Sequence, residues 1–177
     1  KAYEELKKWY DIYTQIGGYP AVVKCYLESN DIEKCKEELE KIIQIFVNES
    51  ERYFDDVLEV NLFEQLFPSI AQSMIKESKG SSDLISELSK IIFKDESDRI
   101  TKKSVNQAIA WLYRSHIIGY CDKISECNFM DVSYHSRFYF RDVGVARHFL
   151  RIAGADYATI EGIINENFVY LYLERLI

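Results

Sequence analysis

The chain has 177 residues, with 22 Lys and Arg against 29 Asp and Glu, 47% apolar residues, 7 Gly and 2 Pro, a composition that excludes disordered, collagen-like, linker-like and coiled-coil classes. At this length a folded chain buries about 70% of the surface its unfolded form exposes, enough for one sizeable core or two small ones. No apolar run approaches the ~20 residues of a membrane span, and Lys1 begins neither with an initiator Met nor with a signal-peptide core, so no membrane and a cytoplasmic location are expected.

In chain order, Tyr3, Leu6, Tyr10, Tyr13 and Ile16 fall three or four residues apart and predict one apolar face of a first helix, which Gly17 and Gly18 end. Pro20 suits the first turn of a second helix carrying Ala21, Val22, Val23, Tyr26 and Leu27. Asp31 is the expected cap of a third, with Leu39, Ile42, Ile43, Phe46 and Val47 inward and Glu33, Glu37, Glu38 and Glu40 outward. Residues 49–58 break the period and read as a connecting segment, in which Asp55-Asp56 is a solvated turn rather than an acid–base pair. An apolar stripe from Phe63 to Ile75 then predicts a helix running through Pro68 to about Lys76.

The run from Lys79 to Asp83 stops that helix and caps another, with Leu84, Leu88, Ile91 and Ile92. A second polar break leads to Thr101 or Ser104 as the cap of a helix with Val105, Ala108, Ile109, Leu112 and Tyr113 inward. Residues 117–121 and 137–140 read as strands joined by a polar stretch. Helix, helix, helix, strand, wing and strand is the winged-helix order, with a polar turn between the last two helices, so the expected fold is mainly α with a small β-hairpin. Asp142 is the expected cap of the next helix, and a final helix runs through Ile163, Ile164, Phe168, Leu171 and Leu176. Its apolar face stops mid-period, which with the missing Met predicts a piece of a longer protein.

The charge is unevenly spread. Residues 1–98 hold 12 basic and 21 acidic side chains, whereas residues 99–151 hold 9 and 4, a local balance of +5. A basic surface on an acidic chain is what contact with nucleic acid needs, although a solvated face gives the same count. Lys102, Lys103, Asn106, Gln107 and Arg114 are the candidates to enter a DNA major groove, since Asn and Gln match adenine edges and Lys binds phosphate. Lys123 and Arg137 flank the wing as candidate phosphate contacts, or else as strand-edge charges. Most of the 13 Tyr and 10 Phe fall on inward faces and read as core rather than base-stacking platforms. Cys25, Cys35, Cys121 and Cys127 form no CxxC pair and read as free thiols. The group His116, Cys121, Cys127 and His135 has ligand types that zinc accepts but no zinc-module spacing, so no metal is expected.

Three stretches together carry a family resemblance: the Gly-Gly-Tyr-Pro of residues 17–20, the segment 104–121, and the segment 137–150 followed by 162–175, which contains Asn165, Glu166, Asn167 and Phe168. In order and spacing they resemble the C-terminal region, a domain of unknown function, of bacterial and archaeal AAA-type ATPases. The resemblance implies a helical segment over 1–58 that follows the ATPase module, a winged helix over 59–142, and C-terminal helices over 143–177 that open a further, restriction-endonuclease-like domain. It also implies that ATP and Mg belong to a nucleotide module outside this chain, for no GxxxxGK[ST] run exists in residues 1–177. Neither ATP hydrolysis nor nuclease activity is expected of this chain, and no cofactor. The implied role is a DNA-binding or substrate-recruiting arm with duplex DNA and its own ATPase domain as partners; the alternative is a protein-interaction or homo-oligomerisation module without nucleic acid.

Overall fold

The computed structural model describes residues 1–54, 62–77, 102–121 and 137–176. Helices α1 (Ala2–Ile16), α2 (Pro20–Ser29), α3 (Ile32–Phe54), α4 (Leu62–Glu77) and α5 (Lys102–Arg114) lead to strands β1 (Ile118–Cys121) and β2 (Arg137–Phe140), and α6 (Val143–Ile152) and α7 (Tyr157–Glu174) close the chain. The protein is mainly helical with one small antiparallel hairpin, in which Ile118 faces Phe140 and Cys121 faces Arg137. The first helix of the predicted helix-turn-helix, around Leu84 to Ile92, and the wing tip lie outside the described residues. Among the described residues no helix is long and apolar enough to cross a membrane.

Local chemistry sets the boundaries. Gly17 ends α1 at φ 80°, a left-handed conformation that a side chain disfavours, and Pro20 opens α2 where its missing N–H costs nothing. The Asp31 carboxylate accepts the Glu33 N–H at 2.9 Å and caps α3. Asp142 caps α6, accepting the N–H groups of Gly144 at 2.8 Å and Val145 at 3.0 Å.

The core is centred on α4 and α6. Leu62, Phe63, Leu66, Phe67, Ile70 and Met74 of α4 are fully buried, and Phe67 stacks on Phe149 of α6 with centroids 5.0 Å apart and on Phe140 of β2 at 6.4 Å. A buried phenylalanine contributes about 1.5–3 kcal/mol by leaving water, so these rings weigh heavily in joining helix, helix and strand. Helix α6 is buried nearly all round, Arg147 included. One cluster of buried side chains runs from Ile16 to Leu171 and takes members from each of the three predicted segments.

Four expectations are corrected. The connecting segment predicted from residue 49 is helical to Phe54, because Trp111 of α5 stacks on Tyr53 at 3.9 Å and donates its indole N–H to the buried Ser50 hydroxyl. On α5 the half-buried aromatic is therefore Trp111, and Tyr113, expected inward, is 40% exposed beside Tyr120. Of the two expected caps, Thr101 or Ser104, the second is ruled out, since the helix opens at Lys102 and Ser104 lies inside it. On α1 the apolar face is buried only at its C-terminal end: Ile16 is buried, whereas Tyr3 and Leu6 are 72% and 70% exposed.

Candidate functional site

The predicted contact residues of α5 share one exposed face. Lys103, Asn106, Gln107 and Arg114 all face solvent, opposite the buried Val105, Ala108, Ile109 and Leu112. Lys102 opens the helix, and its side chain lies outside the described residues, as does Lys123. Arg137 is not on that face of free charge: its guanidinium donates to Glu166 of α7 at 2.6 Å and lies 5.9 Å from the Tyr139 ring centroid.

Glu166 belongs to a run in which every side chain has a structural partner. Asn165 accepts the Tyr10 hydroxyl of α1. Glu166 takes Arg137 and, on its other oxygen, the Tyr139 hydroxyl at 2.7 Å. Asn167, fully buried, reads the β2 backbone twice, accepting the Phe140 N–H at 3.0 Å and donating to the Phe140 carbonyl at 2.8 Å. Phe168 meets Tyr10 and Tyr13 edge-on. Two turns later the pattern repeats, with Glu174 accepting from Arg141 at 2.6 Å and from the Tyr170 hydroxyl at 3.0 Å. Tyr139 and Tyr170 stack on each other at 4.3 Å, and burial, then the acceptor glutamate, pushes both phenols well above their ordinary range. The Tyr170 ring lies so close over β1 that a Cβ on Gly119 would come within 2.1 Å of its hydroxyl. Glu166 thus anchors strand to helix.

The Gly-Gly-Tyr-Pro corner and Asp142 form a second interlock. Besides capping α6, Asp142 accepts the Gly18 N–H at 2.7 Å, so both of its oxygens are engaged. A Cβ on Gly17 would sit 2.2 Å from Asp142 Oδ1, and one on Gly144 would sit 2.6 Å from the Ile16 carbonyl, so the approach requires glycine on both sides. Burial pushes the Asp142 carboxyl above the ordinary carboxylate value, against the three backbone donors. Arg147 ties the same corner together, donating to the Thr14 carbonyl and to Glu161, each at 2.6 Å.

A cleft of about 440 Å³ opens beside this interlock. Tyr13, Tyr19 and Phe168 supply aromatic wall, Arg141 and Arg175 supply guanidinium groups, and Asp142 is buried beneath them. His116, held at φ 55° between α5 and β1, also lines it. The sequence singled out Asp142 as a cap, Gly18 as a helix end, His116 within the zinc-type group, and Tyr13 and Phe168 as inward helix positions, but nothing in it brought them to one place. The corner and Asp142 are 124 positions apart, and no local pattern signals that they meet. Among the described residues no three His, Cys, Asp or Glu side chains gather as metal ligands, and Cys127 and His135 lie outside them.

A family model described as a domain of unknown function, DUF8612, matches residues 7–156. No curated protein and no solved structure matches the chain.

Proposed function

We propose that this chain, which belongs to the domain-of-unknown-function family DUF8612, is, on the strength of its motif resemblance, the C-terminal winged-helix arm of an AAA-type ATPase, binding duplex DNA or recruiting substrate for that enzyme. The observation that carries the DNA reading is the exposed face of α5, where Lys103, Asn106, Gln107 and Arg114 stand together immediately before a β-hairpin. Asn and Gln offer paired donor and acceptor groups for adenine, and the two cations offer phosphate contacts. Arg137, tied to Glu166, contributes little to such a surface. In this reading the chain has no catalytic role, and ATP and Mg are handled by the nucleotide module that the resemblance places outside it.

The experiment is fluorescence anisotropy of labelled duplex DNA at several salt concentrations, with wild-type protein and with Lys103→Glu/Arg114→Glu. Neutralising about four phosphates gives a log–log salt slope of about −3.6, and the double variant reduces it. Salt-sensitive binding that the variant loses supports the reading. Absence of binding at low salt sinks it and favours the second reading, a protein-interaction module, which is supported by the exposed Tyr3, Leu6 and Trp9 on α1 and Val169, Tyr172 and Leu173 on α7.

A further inference from the structure

The cleft beside Asp142 has chemistry that the interlock leaves unused. Its volume of about 440 Å³ lies within the ~300–1,000 Å³ range of small-molecule sites. It carries one cation without an ion-pair partner among the described residues. Arg141 and Arg175 line it with Asp142, whose carboxylate already accepts three backbone N–H bonds, and with Arg141 paired to Glu174 the uncompensated cation is Arg175. Glu174 answers one amino group of Arg141, but the Arg141 Nε is buried with no hydrogen-bond partner among the described residues. Arg175 is exposed and enters no ion pair among the described residues.

Backbone polarity points the same way. Helix α2 begins at the cleft, and its N-cap, Tyr19, makes no side-chain cap. The positive end of the α2 dipole therefore points toward the cleft wall formed by Tyr19. The remaining wall is aromatic, with Tyr13 and Phe168 set at 72° to each other and 6.0 Å apart.

We infer that this cleft binds a small organic anion bearing one flat ring, with its charge between Arg175 and Arg141 and its ring against Phe168 and Tyr13. A bare inorganic anion leaves the rings in contact with water, and a neutral ring leaves Arg175 and the Arg141 Nε unanswered. The ligand class thus needs both features in one molecule.

The test uses phenyl phosphate, with inorganic phosphate and phenol as probes that each carry one feature, followed by amide NMR of the full chain. Phenyl phosphate is expected to bind saturably, shifting the amides of Gly18, Tyr19 and Arg141, with inorganic phosphate and phenol each roughly tenfold weaker or worse. Arg175→Gln, at an exposed position, should weaken phenyl phosphate roughly tenfold while leaving the unfolding midpoint in place. The idea is overturned if phenyl phosphate fails to saturate at millimolar concentration, if the shifts centre elsewhere, if one single-feature probe binds as tightly, or if Arg175→Gln changes nothing. Lys103→Glu serves as the control: it acts on DNA binding, and an effect on phenyl phosphate would also refute the cleft as the site. The two readings therefore fail separately.

Discussion

The backbone N–H of Gly18 donates to Asp142 Oδ2 at 2.7 Å, joining the corner between α1 and α2 to the N-terminus of α6. Asp142→Ala would leave three N–H groups, two of them buried, without their acceptor, at a cost of about 2–3 kcal/mol or more, read from urea unfolding. Asp142→Asn retains an acceptor oxygen and should cost less. The pair also carries a pH signature. Because the folded carboxyl lies above its unfolded value, its stabilising share is complete below about pH 4 and is lost as pH rises through the folded value. Relative to wild type, Asp142→Asn should therefore show a flatter decline of stability over that window.

Gly119 and Tyr170 provide a test by double substitution. Gly119→Ala drives a methyl to 2.1 Å from the Tyr170 hydroxyl and should destabilise the hairpin against α7 by about 1–3 kcal/mol. Removing the hydroxyl with Tyr170→Phe should recover part of that loss, since the ring carbon at 2.8 Å remains. Additive losses in a thermodynamic cycle would contradict the contact.

Asn167 is expected to be the least replaceable polar residue of α7. Asn167→Ala strips both the N–H and the carbonyl of Phe140 of their partner in a fully buried place, at about 2–4 kcal/mol. Amide exchange at Phe140 should accelerate in this variant well beyond the change at Leu39, a core residue of α3 that does not touch this pair.

His148 predicts a separate acid sensitivity. Burial lowers its folded value below the ordinary 6.5, with Arg151 adding to the effect and Glu40, at 3.9 Å, opposing it. Its stabilising share is present above the unfolded value and is lost as pH falls through the folded one. His148→Gln should remove a component of the stability loss below about pH 6.5, measured against wild type by thermal unfolding.

Local signals carried far in this chain. Gly17-Gly18, Pro20, Asp31 and Asp142 mark real helix ends because each acts on backbone within a few residues of itself. The apolar period located α3, α4 and α5, and short apolar runs located both strands. What escaped depends on distant partners. The extension of α3 past residue 49 needs Trp111, 61 positions from Ser50. The pairing of Arg137 needs Glu166, 29 positions on, so a basic residue that looks available from composition has its charge answered. Tyr3 and Leu6 follow the helical period faithfully, but a period says which face is apolar and not whether anything covers it. The cleft was illegible for the same reason, since its lining comes from four regions of the chain and one unusual backbone angle at His116.

Arg147 has a mechanical meaning. One guanidinium, 5% exposed, holds the last turn of α1 through Thr14 and the second turn of α7 through Glu161. Separating those helices would strand a charge in an apolar medium, a penalty of several kcal/mol, so they move as one lever. Positions 14 and 161, far apart along the chain, are thereby held through a single side chain of α6 rather than through any loop.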